Sequence, residues 1–476
     1  MPNQARILFI IHDVYQDVNV FPLGIAYLSS SLEKKGHKVD IYCQDLYHYP
    51  NEDLAEYLYN NDYDIIGVGF LAARFNETII DLCNVINRYK KKAWLVLGGH
   101  GPSPIPEFVL RKTNADVVAM GESEETIVEV VKEKINNTCC LSSIKGIAYR
   151  DKEKVSINER RTSVPDVNAI SLPAWNLFPI EDYKKNVKIM GQKKDEYSLV
   201  ALSSRGCINK CNFCYRMENG IRIRTIDNFV QELKYLKDEY QINNFIFDDE
   251  MFILNKKRLI AFEKALNKYD LQIRFFCSAR VDIIDKEVVN ILKRCGCSTI
   301  SIGLESLDNN VLRMMNKNTT CEDNIRAGEI ILEAGDIYVS LNFLWGNIGD
   351  TEKSLNKIVS FIKKYSTYQE IRTIRPPTPY PGSELYYYAI KQGKLKGPGD
   401  FFNKFINSDL YMINFTDIPI RTFYDLLFSA NKELLIDYYT HTGGDMDLCN
   451  NLIKDFKDLY DGKNVKFRGS RKDKFK

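Results

Sequence analysis

A chain of 476 residues, 45% hydrophobic and 27% charged, has the composition of a water-soluble globular protein and the length of two or three domains. Its net charge of +2 gives no reason to expect nucleic acid or an acidic membrane as the main partner. The N-terminus lacks a signal-peptide layout and no apolar run approaches the ~20 residues of a membrane span, so the expected location is the cytoplasm.

Residues 1–138 alternate short apolar runs with amphipathic stretches. Strands are predicted at Arg6–Ile11, Lys38–Cys43, Asp64–Phe70, Ala93–Leu97 and Asp116–Ala119, with helices at Leu23–Lys35, Asn76–Tyr89 and Glu122–Lys134. That alternation predicts an α/β domain with a doubly wound parallel sheet, whose ligands bind at the carboxyl ends of the strands. Pro165, Pro173 and Pro179 punctuate a linker over 139–196. A second β/α series fills 197–394. Its strands are predicted at Ser198–Leu202, Asn244–Phe247, Gln272–Cys277, Thr299–Ile302, Tyr338–Phe343 and Glu370–Ile374, with helices at Ile226–Tyr240, Lys256–Lys268 and Thr351–Tyr365. Six such units make a partial TIM-like barrel. Residues 395–476 read as a helical, aromatic-rich segment (Phe401, Phe402, Phe405, Tyr411, Phe415, Phe423, Tyr438) that either packs as core or caps the barrel. It ends in a basic stretch from Lys463 to Lys476, best read as a solvated tail.

Of twelve cysteines, most stand singly as small buried hydrophobes, and the pairs Cys139-Cys140 and Cys295/Cys297 lack metal-ligand company. Cys207-Ile-Asn-Lys-Cys211-Asn-Phe-Cys214 differs. Three thiolates on one loop can hold three irons of a [4Fe–4S] cubane and leave the fourth open to a chelating ligand. Zinc is the alternative, but it usually takes four ligands, and no second C-x2-C pair lies nearby.

Ser204-Arg205-Gly206-Cys207 with Phe213-Cys214-Tyr215 resembles the cluster loop of the radical S-adenosylmethionine superfamily, apart from Ile208, where the family usually has proline or threonine. The resemblance implies a [4Fe–4S] cluster on Cys207, Cys211 and Cys214, with Phe213 and Tyr215 beside it. It also implies S-adenosylmethionine on the open iron, cleaved by one electron to a 5′-deoxyadenosyl radical. Asp248, Asp249 and Glu250 are similar to the family segment that meets the methionine amino group, although aspartates also suit a helix N-cap. Ser278 and Arg280 resemble the carboxylate contacts, and Gly303 and Glu305 the further cofactor contacts.

Upstream, Pro22–Leu28, the Gly98-Gly99-His100-Gly101-Pro102-Ser103 loop and Gly121-Glu122 resemble the cobalamin-binding domain that precedes the barrel in one large subclass, and Thr378-Pro-Tyr-Pro-Gly-Ser383 is a turn common there. On that resemblance Gly98, Gly99, Ser103, Gly121 and Glu122 contact cobalamin. The Asp-x-His-x-x-Gly signature that supplies a histidine to cobalt is absent, and His100 reads as a loop residue. A Rossmann-like domain that kept the fold and lost its ligand is the alternative. What the whole resemblance implies is methylation of an unactivated carbon in a small-molecule or biosynthetic-intermediate substrate, with a flavodoxin or ferredoxin as electron donor. Anaerobic magnesium-protoporphyrin ester cyclases share the architecture, so oxidative cyclisation or rearrangement stands beside it. A non-catalytic cobalamin carrier or sensor is a third possibility.

Overall fold

The computed structural model describes residues 4–460 apart from 15–19, 72–74, 139, 189–191, 194, 336 and 406–412. Cys139, Tyr411 and the basic stretch from Lys463 lie outside the described residues. The chain forms an α/β structure around two parallel sheets.

The N-terminal sheet contains β1 (Arg6–Ile11), β2 (Lys38–Cys43), β3 (Ile65–Gly69), β4 (Trp94–Gly98), β5 (Val117–Ala119), β6 (Ile147–Asp151) and β7 (Lys154–Ile157), in the order 2-1-3-4-5-6-7. β1 to β5 pair in parallel, and β6 and β7 join antiparallel at the far edge. The first five match the predicted strands to within a residue or two. β6 and β7 fall in the stretch expected to be linker; their patterns (buried-buried-half-half-exposed in β6) are those of an edge hairpin with one solvated face. The chain moves to the other side of β1 between β2 and β3, so a crevice opens where β1 and β3 end side by side.

The second sheet contains β8 (Ser198–Ala201), then, after a hairpin of β9 (Ser204–Cys207) and β10 (Gly220–Ile223), β11 (Asn244–Phe247), β12 (Arg274–Arg280), β13 (Cys297–Glu305) and β14 (Tyr338–Phe343). Its order is 14-13-12-11-8, all parallel. The sixth predicted strand, Glu370–Ile374, does not form. The segment runs alongside β14 and makes one parallel bridge, Leu344 to Arg375. Asn431, from the C-terminal helix Ile420–Thr442, instead takes both backbone groups of Ile374, leaving that residue nothing to offer a ladder. Helices between strands begin on side-chain caps: Thr225, Asn255, Asp285, Thr320 and Thr351 each accept from a backbone N–H in the first turn.

The cores cross the expected domain boundaries. Phe21 and, from the first helix (Leu23–Glu33), Ala26 and Tyr27 join the second sheet's core, where Phe21 lies 4.9 Å from Trp175. Phe401, Phe402, Phe405 and Phe415 join the N-terminal sheet's core, with Phe402 stacked on Phe75 at 4.5 Å. The C-terminal aromatics are therefore core, and much of that core lies under the N-terminal sheet. Phe423 stacks on Trp345 at 4.8 Å at the other sheet. Among the described residues, no helix is long and apolar enough to cross a membrane.

Candidate functional site

The three cysteines sit at the tip of the β9–β10 hairpin. Gly206 makes that hairpin possible: its φ is +85°, and a Cβ there would meet the Gly220 carbonyl at 2.4 Å. Cys207 ends β9, and Cys211 and Cys214 lie on the loop that follows. The loop is fixed from several sides. Asn212 takes the Met315 carbonyl through its backbone N–H and the Met314 carbonyl through its side chain, both at 2.9 Å. Its own carbonyl accepts from Leu385 N–H at 2.8 Å, and Asn316 donates to the Lys210 carbonyl at 2.7 Å.

All three thiols are free. Burial, then the charge of the neighbouring cysteines and Glu305, pushes the Cys214 thiol up to about 12, and burial raises Cys211 as well. A cation bound there would offset that cost by stabilising the thiolates. Among the described residues, no three His, Cys, Asp or Glu side chains converge on a point as one metal ion would require. A cubane offers each thiolate its own iron, so three sulfurs spread round one loop fit it.

The carboxyl ends of β11, β12 and β13 bring titratable groups to the same side. Asp248 and Glu250 are exposed there, and burial by the surrounding wall, followed by Asp249, pushes Asp248 up to about 6. Asp249 does something else. It is 3% exposed and accepts from Ser203 N–H at 3.1 and 3.2 Å, from Ser203 Oγ at 2.6 Å and from Ser204 Oγ. Those bonds tie the end of β11 to the start of the cysteine hairpin and leave its carboxylate no free face. Ser278 is half-buried on β12. Arg280 donates to Asp282 at 3.0 Å and to the Lys317 carbonyl at 3.0 Å. Glu305 ends β13 with φ +63° and pairs with Lys317 Nζ at 2.7 Å, both nearly buried. A Cβ at Gly303 would strike the Glu305 carboxylate at 2.4 Å, so that glycine makes room for the pair. Burial alone would lower the Lys317 ammonium, but Glu305 and then Cys211 hold it above its ordinary value. Lys317 was not expected from the sequence: it lies twelve residues past Glu305 on no strand end, and only the fold brings it back.

The N-terminal loops face this hairpin. Ser103 Oγ donates to the Gly99 carbonyl at 2.7 Å and accepts from Gly121 N–H at 3.1 Å, joining the loops after β4 and β5. At Gly99, φ +99°, a Cβ would meet the Phe70 carbonyl at 2.9 Å, so this glycine lets the loop nest on the end of β3. Gly98, at the end of β4, has nothing nearer to its missing Cβ than Ala119 of β5 at 3.7 Å. The result is a floor of backbone and small side chains, the kind a broad flat ligand can lie against. His100 stands edge-on to Tyr215 at 6.0 Å, with burial holding its imidazole below the usual range. Tyr215 in turn packs on Gly382 of the proline–glycine turn, where a Cβ would meet the ring at 2.5 Å and Pro104 at 2.8 Å. Phe213 points away, into the N-terminal core.

The strongest link is charged. Arg205 and Arg222 are cross-strand neighbours in the hairpin, a destabilising pairing by itself. Glu122 lies between them, accepting from Arg222 Nη1 at 2.8 Å and meeting Arg205 at 3.4 Å, while Glu124 pairs with Arg205 at 2.7 Å. The guanidinium of Arg205 also lies 4.6 Å over the ring of Tyr27. Burial would raise the Glu122 carboxyl, but Arg222 and Arg205 hold it below its ordinary range. Glu122 thus serves the joint between the two halves of the chain. Sequence reading placed it in the right loop without its partners, because ion pairs a hundred residues apart leave no local pattern.

Residues 202–362 match the model of the Radical SAM superfamily, and residues 10–131 match that of the B12 binding domain. An uncharacterised methyltransferase of Pyrococcus horikoshii is 29% identical over 89% of this chain and 91% of its own length. The anaerobic magnesium-protoporphyrin IX monomethyl ester cyclase of Cereibacter sphaeroides is 26% identical over 77% of this chain and 60% of its own length. The fold resembles that of the radical S-adenosylmethionine methyltransferase TsrM from Kitasatospora setae, solved with cobalamin and a [4Fe–4S] cluster. The TM-score is 0.66 at 16% identity, over 82% of this chain and 75% of that one.

Proposed function

Because the chain is a radical S-adenosylmethionine enzyme carrying a B12-binding domain, we propose that it methylates an unactivated carbon of a small-molecule or biosynthetic-intermediate substrate. Its cofactors are S-adenosylmethionine, a [4Fe–4S] cluster and cobalamin. When bound, these supply a 5′-deoxyadenosyl radical to take hydrogen from the substrate and a methyl group to replace it.

The residues then divide the work. Cys207, Cys211 and Cys214 hold the cluster. Asp248 and Glu250, exposed at the end of β11, take the methionine ammonium, and Ser278 and Arg280, on β12, take its carboxylate. Asp249 and Asn212 position the hairpin rather than a ligand. Gly98, Gly99, Ser103 and Gly121 line the corrin side. The observation that supports this reading most is the joint itself. Glu122 and Glu124 lock the loops of the N-terminal sheet onto the cysteine hairpin, so two cofactors held by the two halves would face a common space. An electron donor of the flavodoxin or ferredoxin kind is expected to supply the cluster.

The test is anaerobic reconstitution with iron, sulfide and hydroxocobalamin, followed by dithionite, methyl-labelled S-adenosylmethionine and candidate substrates. Equal 5′-deoxyadenosine, S-adenosylhomocysteine and methylated product support methyl transfer. Deoxyadenosine and a cyclised or rearranged product without label transfer would favour the cyclase-like reading, which the Cereibacter relative keeps in view. Corrin binding with no deoxyadenosine would make the chain a carrier.

A further inference from the structure

A cleft of about 510 Å³ opens at the carboxyl end of β2, and tyrosines dominate its wall. Tyr42, Tyr47, Tyr49 and Tyr57 line it together with Asp53. The rings are contiguous: Tyr42 lies 5.1 Å from Tyr57 and 5.7 Å from Tyr49, and Tyr47 lies 5.3 Å from Tyr49. Tyr47 and Tyr49 are 42% and 40% exposed, so their faces are available to a ligand. The wall is held in shape before any ligand arrives. Tyr47 donates its hydroxyl to Asp182 at 2.9 Å, and Gln44 ties down the turn carrying Tyr49 by donating to its carbonyl at 2.8 Å and to Asn51 at 2.9 Å.

Asp53 is exposed at the cleft and has no salt bridge among the described residues. The same tyrosine array shows what completes such a site. One ring farther along, Tyr57 shares a hydroxyl hydrogen bond with Tyr63 at 2.8 Å. Over Tyr63 lies the guanidinium of Arg6 at 4.7 Å, paired with Asp40 at 2.9 Å. There an aromatic face and a carboxylate hold a cation from the chain itself. In the cleft the faces and the carboxylate recur, and among the described residues no basic side chain lines it. Ring quadrupoles and a carboxylate both favour positive charge, and neither favours an anion.

We propose that this cleft binds a small cationic ligand, an alkylammonium or guanidinium, with Tyr42, Tyr47, Tyr49 and Tyr57 supplying ring faces and Asp53 the counter-charge. None of these residues belongs to the cysteine hairpin, to the ends of β11, β12 and β13, or to the loops after β3, β4 and β5, so the proposal can fail without the cofactor chemistry failing.

Calorimetric titration of the full chain with choline, with n-butylguanidinium and with 3,3-dimethylbutan-1-ol, the neutral isostere of choline, tests it. Both cations should bind, with the alcohol at least about tenfold weaker. Asp53→Asn and Tyr49→Leu should each weaken the cations about five- to tenfold, while Tyr49→Phe, which keeps the ring face, should not. Asp53 and Tyr49 are exposed, so these variants should fold, and an unchanged melting temperature checks it. Equal binding of choline and its isostere, or cation binding indifferent to Asp53→Asn and Tyr49→Leu, would overturn the proposal. Binding of N-acetyl-lysine methylamide but of neither free cation would also overturn it, by making the cleft a dock for a polypeptide side chain.

Discussion

The two sheets end in opposite ways. Where β3, β4 and β5 of the N-terminal sheet finish, the chain places Gly69, Gly98, Gly99 and Gly121, and Ser103 spends its hydroxyl joining neighbouring loops. Where β11, β12 and β13 of the second sheet finish, it places Asp248, Asp249, Glu250, Arg280 and Glu305, with Lys317 folded back among them. A surface of backbone and hydrogen suits a large ligand that binds through area and many weak contacts. A surface of charges at fixed positions suits a small ligand that carries charges of its own. One architecture thus yields two chemistries through the residues at strand ends, and the Glu122–Arg205–Arg222 joint brings them face to face.

That contrast breaks most completely at the cysteines. Cys211→Ala, Cys207→Ala or Cys214→Ala should each abolish cluster assembly, and with it deoxyadenosine formation, by more than about a hundredfold. Corrin affinity should persist, because the N-terminal floor uses none of these thiols. Iron and sulfide content, the visible spectrum and a hydroxocobalamin titration check both halves. Loss of corrin binding alongside the cluster would mean that the two sets of strand ends are not separable.

The next largest effect should come from the buried pair on the charged side. Lys317→Met leaves the Glu305 carboxylate nearly buried and alone, at a cost of about 3–5 kcal/mol. The double variant Lys317→Met with Glu305→Gln should recover most of that loss, since it removes both charges together. Denaturant midpoints of the two proteins decide it. If the double variant is as unstable as the single one, the pair is not the source of the cost.

A smaller effect, about 2 kcal/mol, is expected of Glu122→Gln, which leaves Arg205 and Arg222 opposed across the hairpin with Glu124 on Arg205 as the remaining acid of the joint. If the joint sets how the cofactors face each other, this variant keeps its iron and its corrin affinity yet makes more deoxyadenosine per methylated product than the native chain. An unchanged ratio at unchanged cofactor content would reduce the joint to a structural tie.

Much of this was open to a reader of the sequence, and the exceptions share a cause. Alternation of apolar runs and amphipathic helices located ten strands within a few residues, because each strand buries its own apolar run locally. The cysteine spacing marked one loop after the first strand of the second sheet, because three ligands within eight residues are a local pattern; the hairpin of β9 and β10 that carries it was not expected. Glu370–Ile374 misled because its apolar residues are buried by a C-terminal helix whose Asn431 captures the Ile374 backbone. β6 and β7 were missed because short edge strands with one wet face carry little apolar signal. Asp249 looked like Asp248 in sequence, yet Ser203 and Ser204, more than forty residues away, claim it. Lys317, Arg222 and Glu124 had no motif to announce them, since their meaning lies in partners that only the folded chain supplies.

Asp248 gives the finest test of the contrast, and the smallest effect. Burial, then Asp249, pushes its carboxyl up to about 6, against about 3.9 for an unperturbed aspartate. A folded-state pKa raised in this way means that the folded chain prefers the protonated acid. The stability Asp248 contributes is full below about pH 4 and is lost as pH rises through about 6. Asp248→Asn mimics the protonated form, so its melting temperature should draw ahead of the native chain's between about pH 4 and 6 and hold a constant lead above 7. Solvent at this exposed side chain screens the charge, so the lead should be no more than about 2 °C. Saturating S-adenosylmethionine should then narrow the lead, because a bound ammonium favours the ionised carboxylate that the variant lacks. A lead that shrinks with rising pH in the absence of ligand would mean that Asp248 already has a cationic partner in the folded chain, and the methionine ammonium would have to be assigned to Glu250 alone.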